Sequence, residues 1–83
     1  MTKLNIPKIK KVEPLNNLIL IITFSNGKSK KYDCHILIKK NQNFQKLNNP
    51  GFFKNVHIDS GGYGLSWDDE LDVSENELWN ESL

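Results

Sequence analysis

A chain of 83 residues with a net charge of +1 and 37% hydrophobic residues has room for one domain, residues 1–83, with one modest core. At this size only a little over about 60% of the unfolded surface is buried, which disfavours a deep pocket and an enzyme built around one. The one cysteine, Cys34, excludes an intramolecular disulfide and a cysteine metal cluster, and so points to the cytoplasm.

The basic start, MTKLNIPKIKK, has no apolar run and no small-residue cleavage site, so a signal peptide is not expected. The longest apolar run, LILIITF (Leu18 to Phe24), falls far short of the about 20 residues that span a bilayer, and no membrane partner is expected. Charge is divided along the chain. All eleven basic residues are lysines lying between Lys3 and Lys54, with Glu13 and Asp33 the acids among them; eight acids and no lysine follow Asn55. Either two halves of one fold neutralise each other, or a two-signed surface steers a charged partner. Without arginine's planar fork, sequence-specific DNA reading is disfavoured, though weak phosphate attraction is not.

In chain order, IPKIKKVE (Ile6 to Glu13) reads as a first strand ended by Pro14 and the turn-forming LNN. LILIITF then suits a strand buried on both faces or held between two neighbours. Asn26-Gly27 predicts a two-residue type I′ loop, which needs positive φ at both positions. Ser25 then faces Lys28, and Ile19, Ile21, Tyr32 and Cys34 share one face of the sheet. Residues 5–34 should thus form a three-stranded antiparallel meander centred on 18–24. Residues 35–43 are open between strand extension and a helical turn. Phe44 and Leu47 are spaced as on a short helix that NNPG stops, and Phe52 and Phe53 plug the core. VHID (Val56 to Asp59) and YGLSW (Tyr63 to Trp67) alternate around SGG and predict a second hairpin. SENELWNESL carries a capping box, Ser74 with Glu77. Asp72 and Glu75 suit the start of a C-terminal helix, which turns Leu78 inward beside Trp79. The class is α+β: an antiparallel sheet of meander plus second hairpin, with short helices, one at the C-terminus.

HIDSGGYGLSWDDELD (57–72) has the composition of a functional loop, yet each specific chemistry fits poorly. As an EF-hand it places Gly61 and Tyr63 where oxygen ligands belong after Asp59. Its glycines lie between strands, and the charge that follows is acidic, unlike a phosphate loop. Asp68, Asp69 and Asp72 are too exposed for acid–base work. The favoured reading has Gly61-Gly62 turning the chain, Gly64 letting strands approach and Trp67 packing. Cys34 and His35 are neighbours that point to opposite faces, so they make no dyad. With His57 they lack a metal-ligand spacing, and neither a metal nor a cofactor is expected. Lys8, Lys10, Lys28 and Lys30, near Tyr32, are candidates for nucleic-acid contact, although strand lysines more often guard sheet edges.

Taken together, KIKKVEP, LILIITFSNGKSKKYD, FQKL, FFKNVHID and GYGLSWDDELDVSENELW resemble a bacterial family known as domain of unknown function 2442, over about Lys8 to Trp79. The most specific positions are Phe24, Asn26, Gly27, Tyr32, Asp33, Trp67, Asp72, Ser74, Leu78 and Trp79. The chain departs from the usual pattern in its lysine- and asparagine-rich 35–43, and Trp79 stands where a tyrosine is usual. The resemblance implies a small α+β domain without established catalytic residues. Some relatives add a helix-turn-helix domain, which is not expected here. Many are encoded beside another small protein, as in toxin–antitoxin pairs.

The leading expectation is therefore a non-enzymatic protein-binding module, the antitoxin-like half of such a pair, with the neighbouring gene product as partner. Its candidate contact residues are Trp67, Asp68, Asp69, Glu70, Asp72 and Trp79. One alternative is a phage or mobile-element inhibitor of a host defence nuclease, an anti-CRISPR protein for example, acting through its acidic surface. Another is weak nucleic-acid binding through the lysines. An enzyme would need a cleft joining Cys34, His35 and His57. The free edge of the meander also permits a homodimer.

Overall fold

The computed structural model describes residues 6–82. The reading of the N-terminus as carrying no signal peptide falls in part on residues 1–5, outside that range.

Strands β1 (Ile9–Leu15), β2 (Ile19–Phe24) and β3 (Ser29–Asp33) form an antiparallel sheet in the order β1-β2-β3. The meander is therefore present, with the apolar run at its centre. β1 begins and ends two or three residues later than expected, and Pro14 lies within it, opposite Leu20. A proline is tolerated there because β1 is the outer strand of its sheet.

The hairpin between β2 and β3 corrects the expected register. Thr23 pairs with Ser29, Leu20 with Tyr32 and Ile19 with Asp33. The loop has three residues, Ser25 to Gly27, closed by Gly27 N–H donating to Phe24 O (2.9 Å) and Phe24 N–H donating to Lys28 O (2.8 Å). Gly27 takes φ 89°, while Asn26 stays outside the positive-φ region and uses its side chain to accept from Lys28 N–H (3.0 Å). This is a turn followed by a left-handed glycine, the usual three-residue solution, in place of type I′. One extra loop residue turns every side chain of β2 over relative to β3. Leu20, Ile22, Phe24 and Tyr32 face the core, and Ile19 and Ile21 face away from it. β2 is thus not buried on both faces.

After β3 the open segment resolves as helix. α1 (His35–Lys40) starts where Asp33 Oδ1 accepts from His35 N–H (2.9 Å), and a 3-10 stretch over Gln42–Asn48 turns Phe44 and Leu47 inward. α2 (Pro50–Phe53) is a single turn. Asn49 caps it by accepting from Gly51 and Phe52, and Pro50 stands at its start, where a missing N–H costs nothing. Phe53 is buried, as expected of a plug.

The second sheet exceeds the predicted hairpin. β4 (His57–Ile58) pairs with β5 (Gly64–Ser66), and β5 pairs with β6 (Asp72–Ser74), so Asp72 belongs to a strand opposite Ser66 rather than to a helix start. α3 (Glu75–Glu81) follows at once. Ser74 Oγ accepts from Glu77 N–H (3.2 Å), the first half of the capping box. Glu77 does not return the bond. Its carboxylate instead accepts from the Tyr32 hydroxyl (3.0 Å) and from Lys40 Nζ (2.9 Å), which ties α3 to β3 and α1. Leu78 is fully buried beneath this contact, and Trp79 sets its ring edge-on to Phe24 at 4.9 Å.

Candidate partner-binding surface

The 57–72 stretch is a braced support with an acidic rim. Asp59 accepts from Ser66 Oγ (2.6 Å) across the β4–β5 hairpin. A Cβ on Gly64 would stand 2.6 Å from Val73 O, so only glycine lets β5 and β6 meet there. Trp67 is 5% exposed, lies against Phe44 and Phe53, and donates from Nε1 to Phe53 O (3.1 Å). As a contact residue it is therefore misplaced; it is the post under the loop. Asp68 accepts from Glu70 N–H (2.9 Å) and Leu71 N–H (2.8 Å), and these backbone bonds hold its carboxyl below the usual range. Buried Leu71 closes the loop by accepting from Trp67 N–H (3.0 Å). Asp69, Glu70 and Asp72 are left pointing outward. Lys46 approaches Asp68 (3.8 Å) and Glu70 (4.0 Å) from the 3-10 stretch.

The lysines divide. Lys8 Nζ lies 3.2 Å from a buried Glu75 oxygen and 4.4 Å above the Tyr63 ring. Lys30 Nζ sits 3.8 Å over Trp79 and donates to its carbonyl (2.9 Å). Two of the four nucleic-acid candidates are thus occupied in holding α3, and Trp79 is occupied with them. Lys10 and Lys28 are exposed, Lys10 at the bulge between Ile9 and Lys11. The structure does not join the four into a track.

Cys34 is fully buried, and burial pushes its thiol up to about 12, which leaves no thiolate to act as nucleophile near neutrality. His35 is exposed and paired with Asp33 (Nδ1 to Oδ1, 2.6 Å). His57 is exposed too, its nearest polar contact being Asn55 O at 3.4 Å. Among the described residues no three histidine, cysteine or carboxylate side chains converge as a metal site. Nor is any described helix long and apolar enough to cross a membrane.

Two surfaces went unread in the sequence. An open cleft of about 320 Å³ lies between the Asn16–Leu18 turn, His35 and the start of α2, with Leu47 and Phe53 in its lining. Asn17 and Leu18 hold positive φ (64° and 61°) at its lip, a strained conformation for leucine. The second is the outer side of the meander, where Leu15, Ile19 and Ile21 lie with charged neighbours. The register slip hid it, because the type I′ reading had placed both isoleucines on the Tyr32 side.

Two small antiparallel sheets, three single- or double-turn helices and a core shared between them define a compact α+β domain whose polar groups brace the fold. The chain belongs to the family described as protein of unknown function (DUF2442), which it matches over residues 9–83. No curated protein and no solved structure matches it.

Proposed function

We propose that the protein is a non-enzymatic, cytosolic protein-binding module, the antitoxin-like member of a small gene pair, and that it grips a basic surface of its partner. One observation carries the reading: Asp69, Glu70 and Asp72 project from a loop fixed by Trp67, Asp68 and Leu71, while Lys8, Lys30 and Lys40 are bound up within the fold. A loop already held in place loses little entropy on binding, and like charges on it speed the encounter with an opposite field. Lys46 interrupts the acidic rim, so imitation of nucleic acid against a host nuclease is the weaker reading.

The test is co-expression with the product of the adjacent gene. The wild type should co-purify with it, and Asp69→Lys/Glu70→Lys/Asp72→Lys should bind at least about 30-fold more weakly at unchanged fold. A neighbour that does not bind, or equal binding by the variant, overturns the proposal.

A further inference from the structure

The outer side of the meander is built in cross-strand rows. Leu15, Ile19 and Asp33 form one; Glu13, Ile21 and Lys31 form the next; Lys11, Thr23 and Ser29 form the third. Ile19 and Ile21 are half-buried and belong neither to the core nor to the residues packed against it; Ile36, Lys54 and Glu81 stand beside Ile19 at its end of the face. Leu15 is 39% exposed. Among the described residues, Glu13 and Lys31 take part in no ion pair of their own chain, being two strand spacings apart across Ile21. An apolar centre with an acid on one flank and a base on the other is self-complementary.

We propose that this face docks a second copy of the chain, sheet on sheet. A two-fold axis parallel to β2 and passing over Ile19 and Ile21 sets each isoleucine against its counterpart. Because that axis exchanges the β1 side for the β3 side, it places Glu13 of each copy against Lys31 of the other. An axis along the rows would instead set Glu13 against Glu13, so the charges select the first arrangement. It is also the geometry in which aligned sheets pack, about 10 Å apart. Six residues of β2 at about 3.3 Å each, across three strands about 4.8 Å apart, give a patch of about 300 Å² per copy. The pair buries about 600 Å² before the rim is counted, below the about 1,200 Å² of a stable interface, so the dimer is weak, with a dissociation constant of about 10 μM to 1 mM.

Sedimentation equilibrium of the full chain across that range, at low salt, tests the proposal. Glu13→Lys alone and Lys31→Glu alone each turn two attractions into two repulsions and should weaken self-association about 30-fold. The double variant should dimerise like the wild type. An equimolar mixture of the two single variants should form a heterodimer, since each then meets its opposite charge. Circular dichroism confirms that the variants fold. A wild type that stays monomeric to 1 mM overturns the proposal, as does a dimer indifferent to both reversals, or single variants that fail to recover on mixing. A face that binds only the adjacent gene product, losing it in Ile21→Asp, overturns it as well. Asp69→Lys/Glu70→Lys/Asp72→Lys should leave the dimer intact, which keeps this question apart from the acidic rim.

Discussion

Replacing Trp67 with phenylalanine separates support from contact. The indole is buried, and its Nε1–H reaches Phe53 O at 3.1 Å. Phenylalanine preserves much of the stacking on Phe53 and the edge contact with Phe44 but removes the shorter of the two donors to that carbonyl, leaving Val56 N–H at 3.4 Å. Losing one buried hydrogen bond while the acceptor keeps a longer one costs about 0.5–1.5 kcal/mol, and the lost ring volume adds to it. A domain of 83 residues has a total stability of about 4–12 kcal/mol, so the loss is a sizeable fraction. At about 4–8 °C per kcal/mol for a domain this small, a loss of about 2 kcal/mol lowers the melting temperature by about 8–16 °C. Thermal and urea unfolding followed by circular dichroism measure it, with an unchanged urea slope showing that only stability moved. Partner capture, assayed well below the melting point, should persist. A melting temperature within about 2 °C of wild type, coupled with loss of capture, would refute the reasoning and return Trp67 to the contact surface.

Gly27→Ala, at φ 89° with open space around its would-be Cβ, should cost about 1–2 kcal/mol from backbone strain alone. Asn26→Ala should cost only the bond from Lys28 N–H, about 0.5–1.5 kcal/mol. Alanine scanning by urea melts distinguishes them from a type I′ turn, which would make both positions equally intolerant. On the alkaline side, burial raises Cys34 from 9.0 to about 12, and burial together with Glu77 raises Tyr32 from its ordinary 10.0. The folded chain favours both neutral forms. Stability from these groups is therefore complete below about pH 9 and declines as the unfolded chain ionises above it. Cys34→Ala/Tyr32→Phe should flatten that limb in a pH series of urea melts; an unaltered limb would assign it to the lysines.

Much of the architecture was legible because each signal was local. The Ser74–Glu77 spacing and the alternation around SGG act over a few residues, and each produced the element it implied; NNPG, read as a stop, does end the 3-10 stretch, but its Asn49 and Pro50 also open α2. The misreadings arose where a local signal has two solutions. Asn-Gly closes both a two-residue and a three-residue loop, and the choice was settled by tertiary packing: Leu20, Ile22 and Phe24 had to meet Leu78 and Trp79 beneath the sheet. β6 was missed for a different reason. Three residues are too few for alternation to show, and Asp72–Ser74 pair with β5 only because Gly64 admits them. In the site, Trp67 reads in the sequence both as a packing residue and as a contact candidate, and its burial bears out the first. Its burial depends on Phe44 and Phe53, which come from distant segments and leave no mark near it in the chain.

The division of charge along the sequence acquires a cause once the contacts are known. Lys8 meets Glu75, Lys40 meets Glu77, and Lys46 meets Asp68 and Glu70, so each of these pairs joins the lysine-bearing part of the chain to the acidic part. Most are well exposed, and such pairs add little to stability. Their effect is on arrangement. A helix bearing Glu75 and Glu77 can lie over the sheet in several rotations that bury Leu78, and the one adopted brings Glu77 onto Tyr32 and Lys40 while Trp79 takes Lys30. Wrong rotations would place carboxylates on buried aromatic surface without a cation. The segregated charges therefore act chiefly as an alignment code between the two parts. Glu13, an acid among lysines, and Lys31 stand outside the ion pairs of the described residues, as several other lysines do, but these two flank the same half-buried isoleucine, Ile21, in one cross-strand row. Charges that the internal code leaves over, placed together on an uncovered apolar face, are what an interface between copies requires.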